Sequence, residues 1–377
     1  MKKNIFLYLL LLVSIPNYGQ QGLNEEINKL LKEELEKQSI KNAFLKVYSK
    51  SKAIDINIIE SKNNKEVLSK NTPFYTASIT KMLTATAIGI LKDKHMLNFE
   101  DKIADYLPET LLNGLHVLDN KEYSKNLTIA QLLQHTSGLP DYFTDETNDG
   151  SPNIINQLLI DTDKSWSAEE LIQFTKEKMK PHFIPGECYH YTDTEYVLLG
   201  LLIEKVSKVS LAEFFKQHIF QPLEMNNSYI NLKSSPVNST PPIAKFYVDT
   251  TELSSIKSLS ADWGGGGLVS TAEDLIRFFE AYNNHKILEK NTLLTMRNWV
   301  FETKGMEYGY GIRKVSFNKI YDNNTDLHVI GHNGSTASFL WYCPELDTYV
   351  AGTLNQLEAS KSSLNLVYKV LESIKNH

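Results

Sequence analysis

Ser78 and Lys81 stand three residues apart near the head of the apolar stretch 74–91. On a helix that spacing sets a hydroxyl and an amine on one face, one turn apart. A hydroxyl is a weak nucleophile until its proton is removed, and a desolvated lysine can remove it, so the pair suits nucleophilic catalysis. A helix N-terminus also favours negative charge developing beside it. The same spacing recurs at Ser49 and Lys52, Ser254 and Lys257, and Ser316 and Lys319, but none of these opens a long apolar helix. The plain structural alternative makes Ser78 an N-cap and Lys81 a solvated helix charge. Against it, Ile79, Met82 and Leu83 flank Lys81 with apolar side chains, and a desolvated ammonium requires a reason.

Three further groupings could carry chemistry. Tyr191-Thr192-Asp193 follows the Pro185-Gly186 turn and precedes a helical run. Residues two apart in extended chain point the same way, so the phenol and the carboxylate can share a site; the structural alternative is a turn with Asp193 as N-cap. Gly331-His332-Asn333-Gly334-Ser335 ends a strand-like run, where glycine permits close approach of a backbone or ligand, although Asn333-Gly334 is also a turn dipeptide. His135-Thr136-Ser137-Gly138 closes a helical run, and its histidine reads as a helix C-terminal residue rather than a base. Other signatures are missing. The chain has no Gly-x-Ser-x-Gly elbow, no His-Glu-x-x-His and no cysteine pair at zinc spacing. The glycine run 264–267 lacks the Lys-Ser/Thr of a phosphate loop, so backbone packing accounts for it better. His328 and His332 share a strand face without a third ligand. No metal and no cofactor is expected.

The elements that must position these residues follow from periodicity. Helices are expected over 23–38, 78–91, 129–134, 168–178, 196–206, 211–220, 272–282 and 364–374, with Ser270 and Glu273 as a capping box for 272–282. Strands are expected over 43–48, 54–59, 308–312, 327–330, 337–342 and 349–354. Residues 142–153 and 231–242 read as loops. Strands at both ends with helices between them imply an α/β (α+β) fold: one antiparallel sheet built from both termini, flanked by helices, with a mostly helical subdomain inserted at about 95–260.

The chain has 377 residues, a net charge of −6 and dispersed basic residues, which argues against a nucleic-acid partner. Lys2 and Lys3, the apolar run 5–15 and Pro16-Asn17-Tyr18-Gly19 read as a secretory signal peptide over 1–19, cleaved after Gly19 or Gln20. The remainder, 20–377, suits one large domain or two interlocked ones, expected to be periplasmic or secreted, with no stable membrane span after cleavage and no obligate protein partner. The pairing of Cys188 and Cys343 is left open.

Taken in order, Ser78-x-x-Lys81, Tyr191-x-Asp193 and His332-Asn333-Gly334 resemble the three motifs of the serine β-lactamase and penicillin-binding-protein superfamily, in particular its class C-like branch. The resemblance extends to Leu132-Leu133-Gln134-His135-Thr136-Ser137-Gly138-Leu139-Pro140, Tyr196-Val197-Leu198-Leu199-Gly200, Pro222-Leu223-Glu224-Met225 and Gly266-Gly267-Leu268-Val269-Ser270-Thr271. It implies the β-lactamase/transpeptidase fold and a secreted serine hydrolase that forms an acyl-enzyme on Ser78. Lys81 and Tyr191 would share the proton transfers. Asp193, His332, Gly334 and Ser335 would bind substrate, and the N–H groups of Ser78 and Ser335 would hold the oxyanion.

Two positions depart from the family pattern. Asp193 replaces the usual Asn, and His332 replaces the Lys of the lactamases. A carboxylate near Lys81 favours the charged ammonium, which cannot accept a proton, so Tyr191, its phenolate stabilised by Lys81 and His332, is the better base candidate. Both departures make the pocket less welcoming to a substrate carboxylate. The expected substrate is therefore a small ester or peptide (esterase, D-amino-acid peptidase or DD-carboxypeptidase type), with a β-lactam as a lesser one. The alternatives are a non-catalytic sensor of penicillins or peptidoglycan fragments, and a structural protein with an inactive site. The intact Ser78, Lys81 and Tyr191 argue against both.

Overall fold

Alternating apolar side chains at the two ends of the chain build its sheet. The computed structural model describes residues 18–37, 40–62 and 67–377. The leader expected at the N-terminus falls almost wholly on residues 1–17, outside the described residues. Strands β1 (Asn42–Ser49) and β2 (Ile54–Ser61) come from the N-terminal part. Strands β3 (Val300–Thr303), β4 (Met306–Tyr308), β5 (Arg313–Ser316), β6 (His328–Asn333), β7 (Ser338–Cys343) and β8 (Thr348–Thr353) come from the C-terminal part. They form one eight-stranded antiparallel sheet in the order β3-β4-β5-β6-β7-β8-β1-β2. The seam between the two parts lies at β8 and β1, with Phe44 opposite Thr353 and Val47 opposite Val350.

Six helices position the candidate site or cover the sheet: α1 (Tyr18–Lys37), α2 (Thr80–Asp93), α3 (Ile129–Leu133), α4 (Asp193–Ser207), α5 (Ala272–Asn283) and α6 (Ser360–Asn376). Successive strand residues point to opposite faces, and here both faces are covered. Ala43, Leu45 and Val47 of β1 and Phe339 and Trp341 of β7 join a core closed by α1 and α6. Phe44, Leu340 and Ala351 point the other way, into the larger core shared with α2, α4 and α5. Every residue of α2 from Thr80 to Leu91 is buried. A small three-stranded sheet, Phe74–Tyr75, Leu268–Ser270 and Tyr229–Ile230, leads the chain into α2.

The structure corrects several expectations. The strand expected over 308–312 ends at Tyr308 and resumes at Arg313. Between them Gly311 adopts φ +69°, and its N–H donates to the Leu133 carbonyl. A Cβ there would lie 2.5 Å from Ala85 Cβ and 2.7 Å from the Lys81 carbonyl, so this loop presses directly on α2. The edge strand β3 was not expected; half its residues are exposed, and it carries no apolar alternation. Thr271, not Ser270, caps α5 by accepting from the Asp274 N–H, while Ser270 pairs with Ser228. Among the described residues no helix is long and apolar enough to cross a membrane. Both cysteines are free, Cys188 exposed and Cys343 buried.

Candidate active site

The approach to Ser78 is a forced turn. Thr76 donates through N–H and Oγ1 to the Leu268 carbonyl, continuing the small sheet. Ala77 then takes φ +47°, a left-handed conformation that disfavours any side chain by roughly 1–2 kcal/mol. Thr80 Oγ1 holds it by donating to the Ala77 carbonyl at 2.7 Å and accepting the Leu268 N–H at 2.9 Å. Ser78 therefore sits in a one-turn 3-10 segment just ahead of α2, half-buried, and is not the N-cap of that helix.

Lys81 is fully buried, contrary to the solvated-charge alternative. Its Nζ lies 3.4 Å from Ser78 Oγ, donates to the Gly265 carbonyl at 3.0 Å and forms an ion pair with Asp193. These three partners use all three ammonium protons. Burial opposes the charge, but Asp193 and Tyr191 outweigh it and hold the Lys81 pKa well above its ordinary value. The glycine run makes this possible. A Cβ on Gly265 would lie 2.3 Å from Asp193 Oδ1, so only glycine lets the backbone carbonyl and the carboxylate meet at one amine.

Asp193 is the first residue of α4, and Thr192 is its cap, accepting from the Thr194 N–H. The Asp193 side chain is thereby free to face Lys81, while its N–H donates to Asp141 Oδ1 at 2.9 Å. Tyr191 is partly exposed, but its hydroxyl oxygen is enclosed and has no hydrogen-bond partner among the described residues. Lys81 Nζ stands 4.8 Å and the Arg313 guanidinium 4.9 Å from its ring centroid. Burial raises the Tyr191 pKa, and the Lys81 charge offsets part of that rise.

His332 departs from the expected role. It is buried, and its Nδ1–H donates to the Asn333 carbonyl at 2.7 Å, so Nε2 must accept from the Tyr308 hydroxyl at 3.0 Å. Burial and then Arg313 push its pKa far below the usual imidazole value, and it is neutral. The second cation beside Tyr191 is Arg313. That guanidinium binds Glu302 through Nε at 2.9 Å and an amino nitrogen at 2.7 Å, and reaches Asn333 Oδ1 at 3.0 Å. The turn after β6 docks on the nucleophile segment. Ser338 Oγ donates to the Thr76 carbonyl and Thr336 Oγ1 to the Tyr75 carbonyl, and a Cβ on Gly334 would strike the Thr76 carbonyl at 2.3 Å. Ser335 is exposed and follows directly.

Behind Tyr191 lies a second acid–base pair. His135 takes φ +60° just beyond α3, as its expected helix-end position requires, but its ring is buried and bonded through Nδ1 to Glu195. Glu195 also accepts from Ser137 Oγ at 2.5 Å. The His135 ring packs 4.3 Å from Tyr191 and 4.6 Å from Tyr308 between centroids. Desolvation raises the Glu195 pKa well above and drops the His135 pKa well below their ordinary values, so the pair is neutral.

A 240 Å³ cavity opens beside this constellation, lined by apolar Phe143, Ile155, Leu159 and Phe246 with Asp262 and Ser335. Asp262 accepts from the Tyr75 hydroxyl at 2.7 Å, and burial pushes its pKa up to about 7. A wider 720 Å³ groove near Leu107 and Glu204 shares none of these residues. The structure thus brings Ser78, Lys81, Tyr191, Asp193, His332, Gly334 and Ser335 into one region. Sequence reasoning missed Gly265, Arg313 with Glu302, Tyr308, Asp262 and the His135–Glu195 pair. Of these, His135 and the glycine run 264–267 stood out in the sequence without these roles, and Glu195 is a charge heading the apolar run Tyr196-Val197-Leu198-Leu199.

Comparison with known proteins gives the same grouping. The beta-lactamase family profile matches residues 27–372. Penicillin-binding protein 4* of Bacillus subtilis (strain 168) is 30% identical over 263 residues, 66% of this chain and 53% of that protein. The chain thus spans about half the length of that curated relative. D-amino acid amidase from Ochrobactrum anthropi SV3, complexed with L-phenylalanine amide, superimposes with a TM-score of 0.77 at 21% identity, covering 94% of this chain and 99% of its own. A penicillin binding protein from Bacillus halodurans does so with a TM-score of 0.69 at 22% identity, covering 91% and 99%.

Proposed function

Because the chain belongs to the beta-lactamase family, we propose that it is a serine hydrolase that opens an ester or amide through an acyl-enzyme on Ser78. The observation that carries this reading is the buried Lys81 ammonium, aimed at Ser78 Oγ while Asp193 and Gly265 fill its other two bonds. A buried ion pair stabilises a fold poorly compared with apolar packing, so its placement beside a hydroxyl calls for a chemical role.

Lys81 stays protonated and orients Ser78 Oγ. Tyr191, next to Lys81 and Arg313, is the base. In its minor, deprotonated form, favoured by the Lys81 and Arg313 charges against the rise that burial imposes, Tyr191 takes the Ser78 proton as the Oγ–C bond forms. The carbonyl oxygen gains the electron pair and is held by the N–H groups of Ser78 and Ser335. Collapse expels the leaving group, which takes the proton from Tyr191. Water then attacks the acyl carbon, gives its proton to Tyr191 and releases the acid, and Ser78 recovers its proton.

The substrate is an uncharged ester or small peptide amide. Arg313 is neutralised by Glu302, and Asp193 and Asp262 border the site, so among the described residues there no side chain offers a free cation to a substrate carboxylate. The apolar cavity takes a hydrophobic substituent. The amide named for the Ochrobactrum relative gives the amide class to try first. Residues 1–19 export the chain to the periplasm or medium, where N-terminal sequencing of the mature protein finds a start at Gln20 or Gln21.

Intact-mass spectrometry after exposure to a fluorophosphonate, and separately to a penicillin, tests the hydrolase reading. A single adduct that Ser78→Ala abolishes, with fast p-nitrophenyl ester turnover and a persistent penicillin adduct, is the expected result. No adduct with either reagent overturns it, and efficient penicillin hydrolysis overturns the substrate class.

A further inference from the structure

A third cluster lies outside the reacting residues. Asp145 comes from the loop after Pro140, His182 and His190 from the single loop that connects the helix 168–178 to α4, and their donor atoms all lie within 4.8 Å of one another. His182 Nε2 stands 2.7 Å and His190 Nε2 2.9 Å from the same oxygen, Asp145 Oδ2, and the two imidazole centroids are 3.9 Å apart. We propose that these three side chains form a binding site for a divalent first-row transition metal, with Zn²⁺ the best-matched ion.

The argument is one of donor chemistry and preorganisation. Two imidazole nitrogens and one carboxylate oxygen suit zinc and its neighbours and are poorly matched to Mg²⁺ or Ca²⁺, which prefer all-oxygen shells. Bonds near 2.1 Å in a tetrahedron separate donor atoms by roughly 3.4 Å, so the 2.7 and 2.9 Å spacings to Asp145 need to open by about 0.5–0.7 Å. Each ligand is already tied to the segment 135–145. The His182 N–H donates to the Gly138 carbonyl and the His190 N–H to the His135 carbonyl, both at 2.9 Å. The Asp145 N–H donates to the Asp141 carbonyl at 3.0 Å, and Asp145 Oδ2 accepts the Asp141 N–H at 2.8 Å. The side chains of His182, His190 and Asp145 are 40%, 28% and 19% exposed, so an ion can enter and a water can complete the shell. Sequence spacing gave no hint, because the ligands lie 37 and 45 residues from Asp145 rather than on one helix or knuckle.

Its place gives the site a use. His190 immediately precedes Tyr191, and the loop that carries Asp145 also carries Asp141, which holds the Asp193 N–H. A bound ion clasps the Tyr191 segment to the 141–145 loop without touching the reacting atoms.

Equilibrium dialysis of the chelator-stripped full chain against Zn²⁺, followed by metal analysis, tests this; Co²⁺ absorption reads the geometry. The expected result is about one zinc per chain, visible Co²⁺ bands of a four- or five-coordinate site, and an affinity loss of at least roughly 100-fold in His182→Gln. His95→Gln, at an exposed histidine elsewhere, retains the wild-type affinity. Thermal midpoints of wild type and His182→Gln in chelator agree, showing that the variant folds. If His182→Gln does not fold, the wild-type Co²⁺ spectrum decides. Less than about a tenth of an equivalent bound, a six-coordinate Co²⁺ spectrum, or unchanged affinity in His182→Gln overturns the proposal.

Discussion

Two buried acid–base pairs flank Tyr191, and they settle in opposite charge states. Lys81 and Asp193 form an ion pair; His135 and Glu195 share a proton as a neutral pair. Both are short, and both are closed off from water on the base side. The difference lies in intrinsic proton affinity. A lysine holds its proton over an aspartate by about 6.5 pKa units, roughly 9 kcal/mol, whereas a histidine does so over a glutamate by only about 2 units, roughly 3 kcal/mol. Desolvating two charges costs several kcal/mol per ion. That penalty exceeds the smaller gap but not the larger one. Local hydrogen bonds reinforce only the first outcome: the ammonium has three acceptors, whereas the Ser137 hydroxyl and N–H that reach Glu195 favour its carboxylate and are outweighed by desolvation. One region thus keeps a fixed charge beside the nucleophile, and the other is a neutral prop beneath the tyrosine ring.

The largest break in this contrast comes from Lys81→Met. It strands Asp193 without its cation and removes the group that orients Ser78. Ester turnover falls by about 10³-fold or more, and stability by about 3–5 kcal/mol, measured by p-nitrophenyl ester hydrolysis and urea unfolding. A variant that keeps a tenth of wild-type activity shows that the charge is not needed. Tyr191→Phe keeps the ring packed on His135 but removes the hydroxyl. Acylation slows by about 10²–10⁴-fold while the unfolding midpoint moves little, and comparable acylation rates in the two proteins would falsify Tyr191 as the base. Asp193→Asn ranks next. It removes the anion that holds Lys81 charged, and kcat/KM for neutral esters falls by about 10–100-fold, as steady-state kinetics measures.

The smallest effect, and the sharpest on the comparison, belongs to Glu195→Gln. An amide N–H can donate to His135 as the protonated carboxyl does, so stability near pH 6 changes by less than about 1 kcal/mol. The pH profile of stability separates the pairs further. The raised Glu195 pKa means that its contribution is fully present below its unfolded pKa and is lost as pH rises through the folded one. The depressed His135 pKa works the other way, because the unfolded chain gains a proton as pH falls. Between about pH 4.3 and 6.5 the folded and unfolded pair bind the same number of protons. Above that range the folded state holds one more, and stability declines by about 1.4 kcal/mol per pH unit. Denaturant titrations from pH 6.5 to 8.5 show this decline in wild type and a flatter profile in Glu195→Gln. The Lys81 pKa is raised, so its proton count matches the unfolded chain through the same range and it adds no slope there. Parallel profiles for wild type and Glu195→Gln would place the charge on the His135 pair after all.

Local signals carried much of this in advance. The sheet was legible because alternation and β-branched residues mark β1, β2, β7 and β8, and the helix 168–178 appears with both ends as expected because Ser167 and Glu170 form a capping box. Ser78, Lys81, Tyr191 and Asp193 were legible as short-range patterns. The partners were not. Gly265 lies 184 residues from Lys81 and meets it through a backbone carbonyl, which no side-chain pattern records. Arg313 was hidden because the expected strand 308–312 stopped short of it, and the glycine break at Gly311 answers to the proximity of α2, a tertiary cause. His332 was expected to stabilise the Tyr191 phenolate, but burial and its bond to the Tyr308 hydroxyl leave it neutral, a state no short-range pattern records.

The seam between β1 and β8 sets an order of events in synthesis. Phe44 finds its partner Thr353 only after roughly 300 intervening residues have been made, and closing so large a loop costs about 5 kcal/mol in chain entropy beyond a constant term. Until then one edge of β1 stays unpaired in the β1–β2 hairpin. A nascent or truncated chain ending before β8 cannot complete this sheet, and its open edge is free to pair with other chains.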